Sequence, residues 1–240
     1  MGDTERHILW DFDGTLAERP GRWSGCMVEV LDAEQPDHCI RRDMLAPYLR
    51  RGFPWHTPEV GHPEFVHADT WWAQVEPVFI YGYEQVGVDA EQARTLGRLV
   101  RRYYLEASRW HLYDDTIPVL SRLREHGWHH SILSNHVPEL DQLVSLLGLG
   151  RLMEHIITSA RVGYEKPHPA AFAIARRTVG NPAMLWMVGD SVPADIRGAE
   201  HAGLPAILVQ RDGSREPGIT WQASDLWDVQ AILRSECYAD

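Results

Sequence analysis

The chain is poor in the residues that announce several protein classes. It has three cysteines, Cys26, Cys39 and Cys237, odd in number and far apart, with no CxxC pair. That spacing suits neither a disulfide framework nor a zinc site, and it points to a reducing, cytoplasmic setting. Basic residues are also scarce. Lys and Arg number 23 against 34 Asp and Glu, a formal net charge of −11. This argues against nucleic acid and anionic lipid as partners, since both need clustered cations. No apolar run approaches the ~20 residues of a membrane span, and the polar start, Met1 to Arg6, does not read as a signal peptide. Repeats and low-complexity tracts are missing. There are 13 histidines, yet no HExxH and no pair at ligand spacing, so most are expected in packing or at the surface. What is present is an ordinary soluble composition, 44% hydrophobic and 24% charged, in 240 residues. That length allows one large domain or a core with an inserted lobe.

Two rhythms divide the chain. Arg6 to Trp10 reads as a short strand leading into "DFDGTL". From Ala17 to about Arg109 helix follows helix with no convincing strand. "IRRDMLAPYLRR", "PEFVHADTWWAQVEPVFIYGYEQVG" and "DAEQARTLGRLVRRYYLEA" place apolar residues at three- and four-residue spacing, and Asp89 suits the N-cap of the last. After Tyr113 strands and helices alternate. Helices are expected over 116–126, 138–147, 168–179, 192–202 and 225–234, the last capped by Ser224. The strands are "WHHSILS", "HIIT", "MLWMVGD" and "PAILVQ", and Gly127, Gly148 and Gly203 stop three of the helices. Such alternation is the pattern of a parallel sheet with helices on both faces. The expected organisation is an α/β core domain, residues 1–16 and 110–240, interrupted by a helical domain over 17–109.

In such sheets ligands bind beyond the carboxyl ends of the strands. Unusual polar residues gather at those ends: Asp11 and Asp13, Ser134 and Asn135, Lys166, then Asp190 and Asp195. Four carboxylates close together repel one another unless a cation joins them. Lys166 is one such cation, and a hard divalent ion is the other. Oxygen ligands favour Mg²⁺, which commonly serves phosphate chemistry.

These segments resemble the motifs of the haloacid dehalogenase (HAD) superfamily. "DFDGT" is similar to its first motif, "SILSN" to the second, "GYEKPHPAAF" to the third and "GDSVPAD" to the fourth, in family order. The resemblance covers residues 6–17 and about 113–209, and the helical insert resembles the C1-type cap. It implies a Rossmann-like core and a Mg²⁺-dependent phosphatase acting on a small phosphorylated metabolite, as a monomer or homodimer. By position, Asp11 is the implied nucleophile, forming an aspartyl-phosphate, and Asp13 the general acid and then base. The metal falls to Asp11, Asp190, the Asp13 main-chain carbonyl and Asp195 in or near that shell. Ser134 and Lys166 hold the phosphoryl oxygens, with Thr15 and Asn135 at the same group and the Thr15 hydroxyl organising the loop. A phosphomutase similar to β-phosphoglucomutase would use the same residues. A dehalogenase would lack the second acid of "DFDGT", and a non-catalytic relative would have lost one of the acids.

Weaker signals are read as packing or surface. His136 is expected in a surface loop, with substrate contact as its sharper reading, Asp114 and Asp115 as a turn and helix cap before Thr116, and Glu165 as a surface or paired acid. Trp71 and Trp72 are expected to pack. Arg98, Arg101 and Arg102 form a basic face whose sharper reading is an anion clamp, and Arg22 with Trp23 is a candidate substrate wall.

Overall fold

The computed structural model describes residues 5–237. The start of the polar segment read against a signal peptide, residues 1–4, lies outside the described residues, as does the Cys237 side chain. The first strand, β1 (Arg6–Trp10), leads through a tight loop to the short β2 (Ala17–Glu18). A helical segment follows: α1 (Arg22–Glu34), α2 (Arg42–Leu45), α3 (Ala68–Gln85) and α4 (Ala90–Tyr104). It closes at β3 (His111–Leu112), which pairs antiparallel with β2, Ala17 opposite Leu112. This two-residue ribbon was not expected from the sequence. Two residues are too few for alternation to register, and it forms because both ends of the helical segment must pass through one place.

The rest alternates: α5 (Thr116–Glu125), β4 (Trp128–Ser134), α6 (Leu140–Leu146), β5 (His155–Thr158), α7 (Ser159–Val162), α8 (Pro169–Thr178) and β6 (Met184–Gly189). A π-helical stretch, Val192–Arg197, runs into α9 (Gly198–His201), then come β7 (Ala206–Val209), β8 (Trp221–Ala223) and α10 (Leu226–Cys237). The sheet order is β5-β4-β1-β6-β7-β8, and every pairing is parallel. It is an α/β fold with a Rossmann-like core. β1 lies at its centre with Ile8, Leu9 and Trp10 fully buried, as an apolar strand covered on both faces must be.

The helix expected over 192–202 is present but opens with wide turns. The Ile196 N–H reaches back five residues to the Ser191 carbonyl, and Pro193 offers no N–H. α4 is amphipathic as expected: Leu96, Val100, Tyr103 and Tyr104 are buried, and Asp89 accepts from the Glu91 and Gln92 N–H groups. Glu139, just before α6, ties the helical segment to the sheet layers. It accepts from the Trp72 indole and from Arg101 at 2.7 Å. Among the described residues no helix is long and apolar enough to cross a membrane, and Cys26 and Cys39 are free.

Candidate active site

β1 hands the chain directly to Asp11, whose N–H still bonds to the Val188 carbonyl of β6 at 2.8 Å. The nearly buried carboxylate is therefore held at a strand end. The loop then turns sharply, with the Leu16 and Ala17 N–H groups both on the Phe12 carbonyl at 3.0 Å. Gly14 makes this turn at φ 91°, and a Cβ there would stand 2.2 Å from Asp190 Oδ2. Only glycine lets this loop and the end of β6 meet so closely. Asp13 emerges beside Arg22, 3.7 Å from its Nε.

β4 delivers Ser134, buried, and Asn135. The Asn135 carboxamide is committed to the Lys166 main chain: Nδ2 donates to its carbonyl at 2.9 Å, and Oδ1 accepts its N–H at 2.7 Å. Lys166, after α7, is 3% exposed and donates to Asp11 at 2.8 Å and to Asp195 at 2.5 Å. It is the sole lysine of the chain. Asp190 follows β6 at once. Asp195 lies in the π-helical stretch, fully buried, and its second oxygen accepts the Ser191 N–H at 2.9 Å.

One cavity of about 550 Å³ takes its lining from Asp11, Asp13, Ser134, Asn135, Lys166, Asp190 and Asp195. Thr15, expected at the phosphate, does not line it. Its side chain is fully buried, and its hydroxyl has no hydrogen-bond partner among the described residues. The loop's tie comes instead from Arg211, which donates to the Thr15 carbonyl at 2.7 Å.

The charges explain one another. Burial pushes the Asp13 carboxyl up to about 6, with Arg22 opposing and Asp11 adding to the rise. Burial, joined by the charge of Asp11, also raises Asp190. Asp195 is raised by burial against the pull of Lys166. Burial alone would lower the Lys166 ammonium, but Asp11 and Asp195 carry it above the usual lysine range. Asp11, Asp190 and Asp195 each offer an oxygen within 4.8 Å of the others. This all-oxygen, charge-crowded set fits a hard divalent cation. Asp195 has both oxygens already engaged, which leaves Asp11 and Asp190 the freer donors.

Other residues fall in some cases away from their sequence readings and in others where they were expected. His136, expected in a surface loop, is 2% exposed and enclosed by Phe12, Tyr104 and Trp110, and neither ring nitrogen has a partner. Burial lowers its pKa to about 4. Asp115 does not cap its own helix. Its carboxylate accepts from Arg211 at 2.8 Å and from the Leu226 N–H at 2.7 Å, so it caps α10 in place of Ser224. Glu165 is buried, which pushes it up to about 7. Trp71 and Trp72 pack in the helical layer. Arg101 is bound to Asp69 and Glu139, and none of Arg98, Arg101 and Arg102 lines the cavity. Arg22 and Trp23 do line it, joined by Trp55, Pro58 and Tyr104. No motif or spacing marks Trp55 or Tyr104 in the sequence.

With this geometry in place, comparison with known proteins is direct. Residues 5–203 match the model of the haloacid dehalogenase-like hydrolases. The phosphoserine phosphatase of Thermus thermophilus is 36% identical over 140 residues, 57% of this chain and 54% of that one. This chain therefore spans about half of that phosphatase's length. Haloacid dehalogenase-like hydrolase domain-containing protein 3 of Mus musculus is 27% identical over 85% of this chain and 81% of its own. The structure of YfnB from Bacillus subtilis, solved bound to magnesium, superposes with a TM-score of 0.76 at 22% identity, covering 97% of this chain and all of that one. That last likeness is one of fold.

Proposed function

We propose that this chain, which belongs to the haloacid dehalogenase-like hydrolases, is a Mg²⁺-dependent phosphatase that works through an aspartyl-phosphate on Asp11. The observation that carries the reading is the Asp11 carboxylate, 2.8 Å from the buried Lys166 ammonium and clustered with Asp190 on the floor of one cavity. The phosphatase named among the relatives supports the same class of reaction.

An Asp11 oxygen attacks phosphorus, and the bond from phosphorus to the leaving oxygen breaks. The electron pair stays on that oxygen, which takes the proton of Asp13. Asp13, with its pKa raised to about 6, holds a proton more readily than an exposed aspartate does. Water then attacks the same phosphorus while Asp13 takes its proton. The bond to Asp11 breaks, inorganic phosphate leaves, and both acids return to their starting states. Lys166 and Ser134 hold the phosphoryl oxygens, Asn135 sets Lys166 in place through its main chain, and positioning with charge stabilisation does most of the catalytic work. Asp11 and Asp190 would hold Mg²⁺, with the Asp13 carbonyl and Asp195 beside them, and the ion when bound supplies further neutralisation of phosphoryl charge. Residues 17–109 act as a cap domain over a core of 1–16 and 110–240. The free thiols fit a cytoplasmic setting.

A screen of phosphomonoesters with Mg²⁺ tests the reading. Turnover is expected in the parent protein and is expected to vanish in Asp11→Asn. Activity retained in that variant would refute Asp11 as nucleophile.

A further inference from the structure

The cavity has two unlike halves. Part of its lining is the cluster of acids with Ser134 and Lys166, and another part is Trp23, Trp55, Pro58 and Tyr104. A phosphoryl group occupies only a small part of about 550 Å³, which leaves room beside it for the rest of a substrate. The rings there run close to parallel. Trp23 lies on Tyr104 at 3.8 Å between centroids and 4° between planes. Trp55 lies on Phe53 at 4.7 Å and 11°, and Trp23 and Trp55 are 6.2 Å apart at 23°. Trp23 and Trp55 are only half-buried. These rings pack on their neighbours, and their half-exposed parts in the cavity lining offer a ligand an apolar contact surface.

We infer that the site takes a phosphomonoester whose leaving alcohol carries a planar aromatic ring, seated against Trp55 and Trp23. The inference rests on the phosphatase reading and adds the class of substrate to it. A leaving group defined by negative charge fits less well. The cation on this wall is Arg22, and its guanidinium already lies 3.7 Å from both Asp13 and Asp190. An anionic leaving group would have to draw it from two carboxylates, whereas an uncharged ring needs only the exposed parts of Trp55 and Trp23 that line the cavity. Arg22 itself holds φ 48° without being glycine, and Arg19, fully buried, donates to its carbonyl at 3.3 Å. Strain of that kind persists where the surroundings enforce a position, here at the border between floor and wall.

Nucleoside 5′-monophosphates and ribose 5-phosphate leave through the same primary hydroxyl, so the ratio of their kcat/KM values reads the ring alone. Benzyl against cyclohexylmethyl phosphate does the same without a sugar and separates a nucleotide from a simple aryl source. With Mg²⁺ present, at least one aromatic substrate is expected to exceed its non-aromatic partner by about tenfold or more. Trp55→Ala is expected to bring that ratio down toward one, and Trp55→Phe to keep most of it. Ratios near one in the parent protein, or a ratio unmoved by Trp55→Ala, overturn the inference and leave the phosphatase standing. If no ester is turned over, the phosphatase reading falls. Calorimetry with AMP, UMP and ribose 5-phosphate then decides the ring separately: at least one nucleotide binding tenfold tighter supports it, and equal Kd values overturn it.

Discussion

His130 in β4 makes a sharp prediction about acid stability. Its Nε2 lies 3.0 Å from the Leu120 carbonyl oxygen, and its Nδ1 lies 3.1 Å from the Trp10 indole nitrogen. A carbonyl only accepts and an indole N–H only donates. Nε2 therefore carries the hydrogen, Nδ1 is bare, and the ring is neutral. A second proton would point from Nδ1 at the Trp10 N–H, inside a site where His130 is 1% exposed. Burial accordingly lowers its pKa from 6.5 to about 4, with the Leu120 carbonyl opposing. Because the folded value lies below the unfolded one, the unfolded chain takes the proton first. The stability due to a neutral His130 is complete above pH 6.5 and is lost as pH falls toward 4. Single-site linkage puts the loss at about 2 kcal/mol between pH 8 and pH 5. His7, buried and hydrogen-bonded to Ser131, is also lowered to about 4, so the parent protein loses more than this in total. The comparison that isolates His130 is urea unfolding of the parent and of His130→Gln at both pH values. The glutamine lowers stability at each pH, but its loss from pH 8 to pH 5 should be smaller by about 2 kcal/mol. Equal losses in the two proteins would refute the neutral, doubly bonded histidine.

Two further substitutions probe the site. Gly14→Ala puts a Cβ 2.2 Å from Asp190 Oδ2 at φ 91°. Mg²⁺ affinity measured by calorimetry should fall by tenfold or more, while unfolding free energy falls by only about 1–2 kcal/mol. Unchanged affinity would show that Asp190 does not hold the ion. Lys166→Arg keeps the charge but replaces a compact ammonium with a larger planar fork between Asp11 and Asp195. Steady-state kcat should drop by about 10² or more, and a loss below about tenfold would remove the need for a point charge there.

Much of this site was legible in the sequence because its residues sit at strand ends, where chain order and spatial order agree. The acids after β1 and β6 and the serine that ends β4 are placed by runs of buried residues that the eye picks out easily. What was not legible depends on partners far away in the chain. Asp115 looks like the cap of the helix that follows it, yet its ligands are Arg211 and Leu226, brought by β7 and α10. His136 looks like a loop residue until the rings of Phe12, Tyr104 and Trp110 close around it. β8 is three residues long, follows an irregular loop and contains Gln222, so no alternation announces it. Trp55 lies in a short 3-10 turn among prolines, and only the arrangement of the helical segment brings it over the acids.

One signal was present in the composition and carries more weight than its size. Of 23 cationic side chains, all but Lys166 are arginine. At the surface the two residues exchange easily, so a chain this rich in arginine has little general need of lysine. The exception stands where a guanidinium is poorly suited: fully enclosed, between two carboxylate oxygens 2.8 and 2.5 Å away. An ammonium presents three donors from a single nitrogen, two of which are used here. The third remains for a group brought into the cavity, in line with the phosphoryl oxygen proposed for it. The Asn135 bonds fix the main chain of that lysine from both its N–H and its carbonyl.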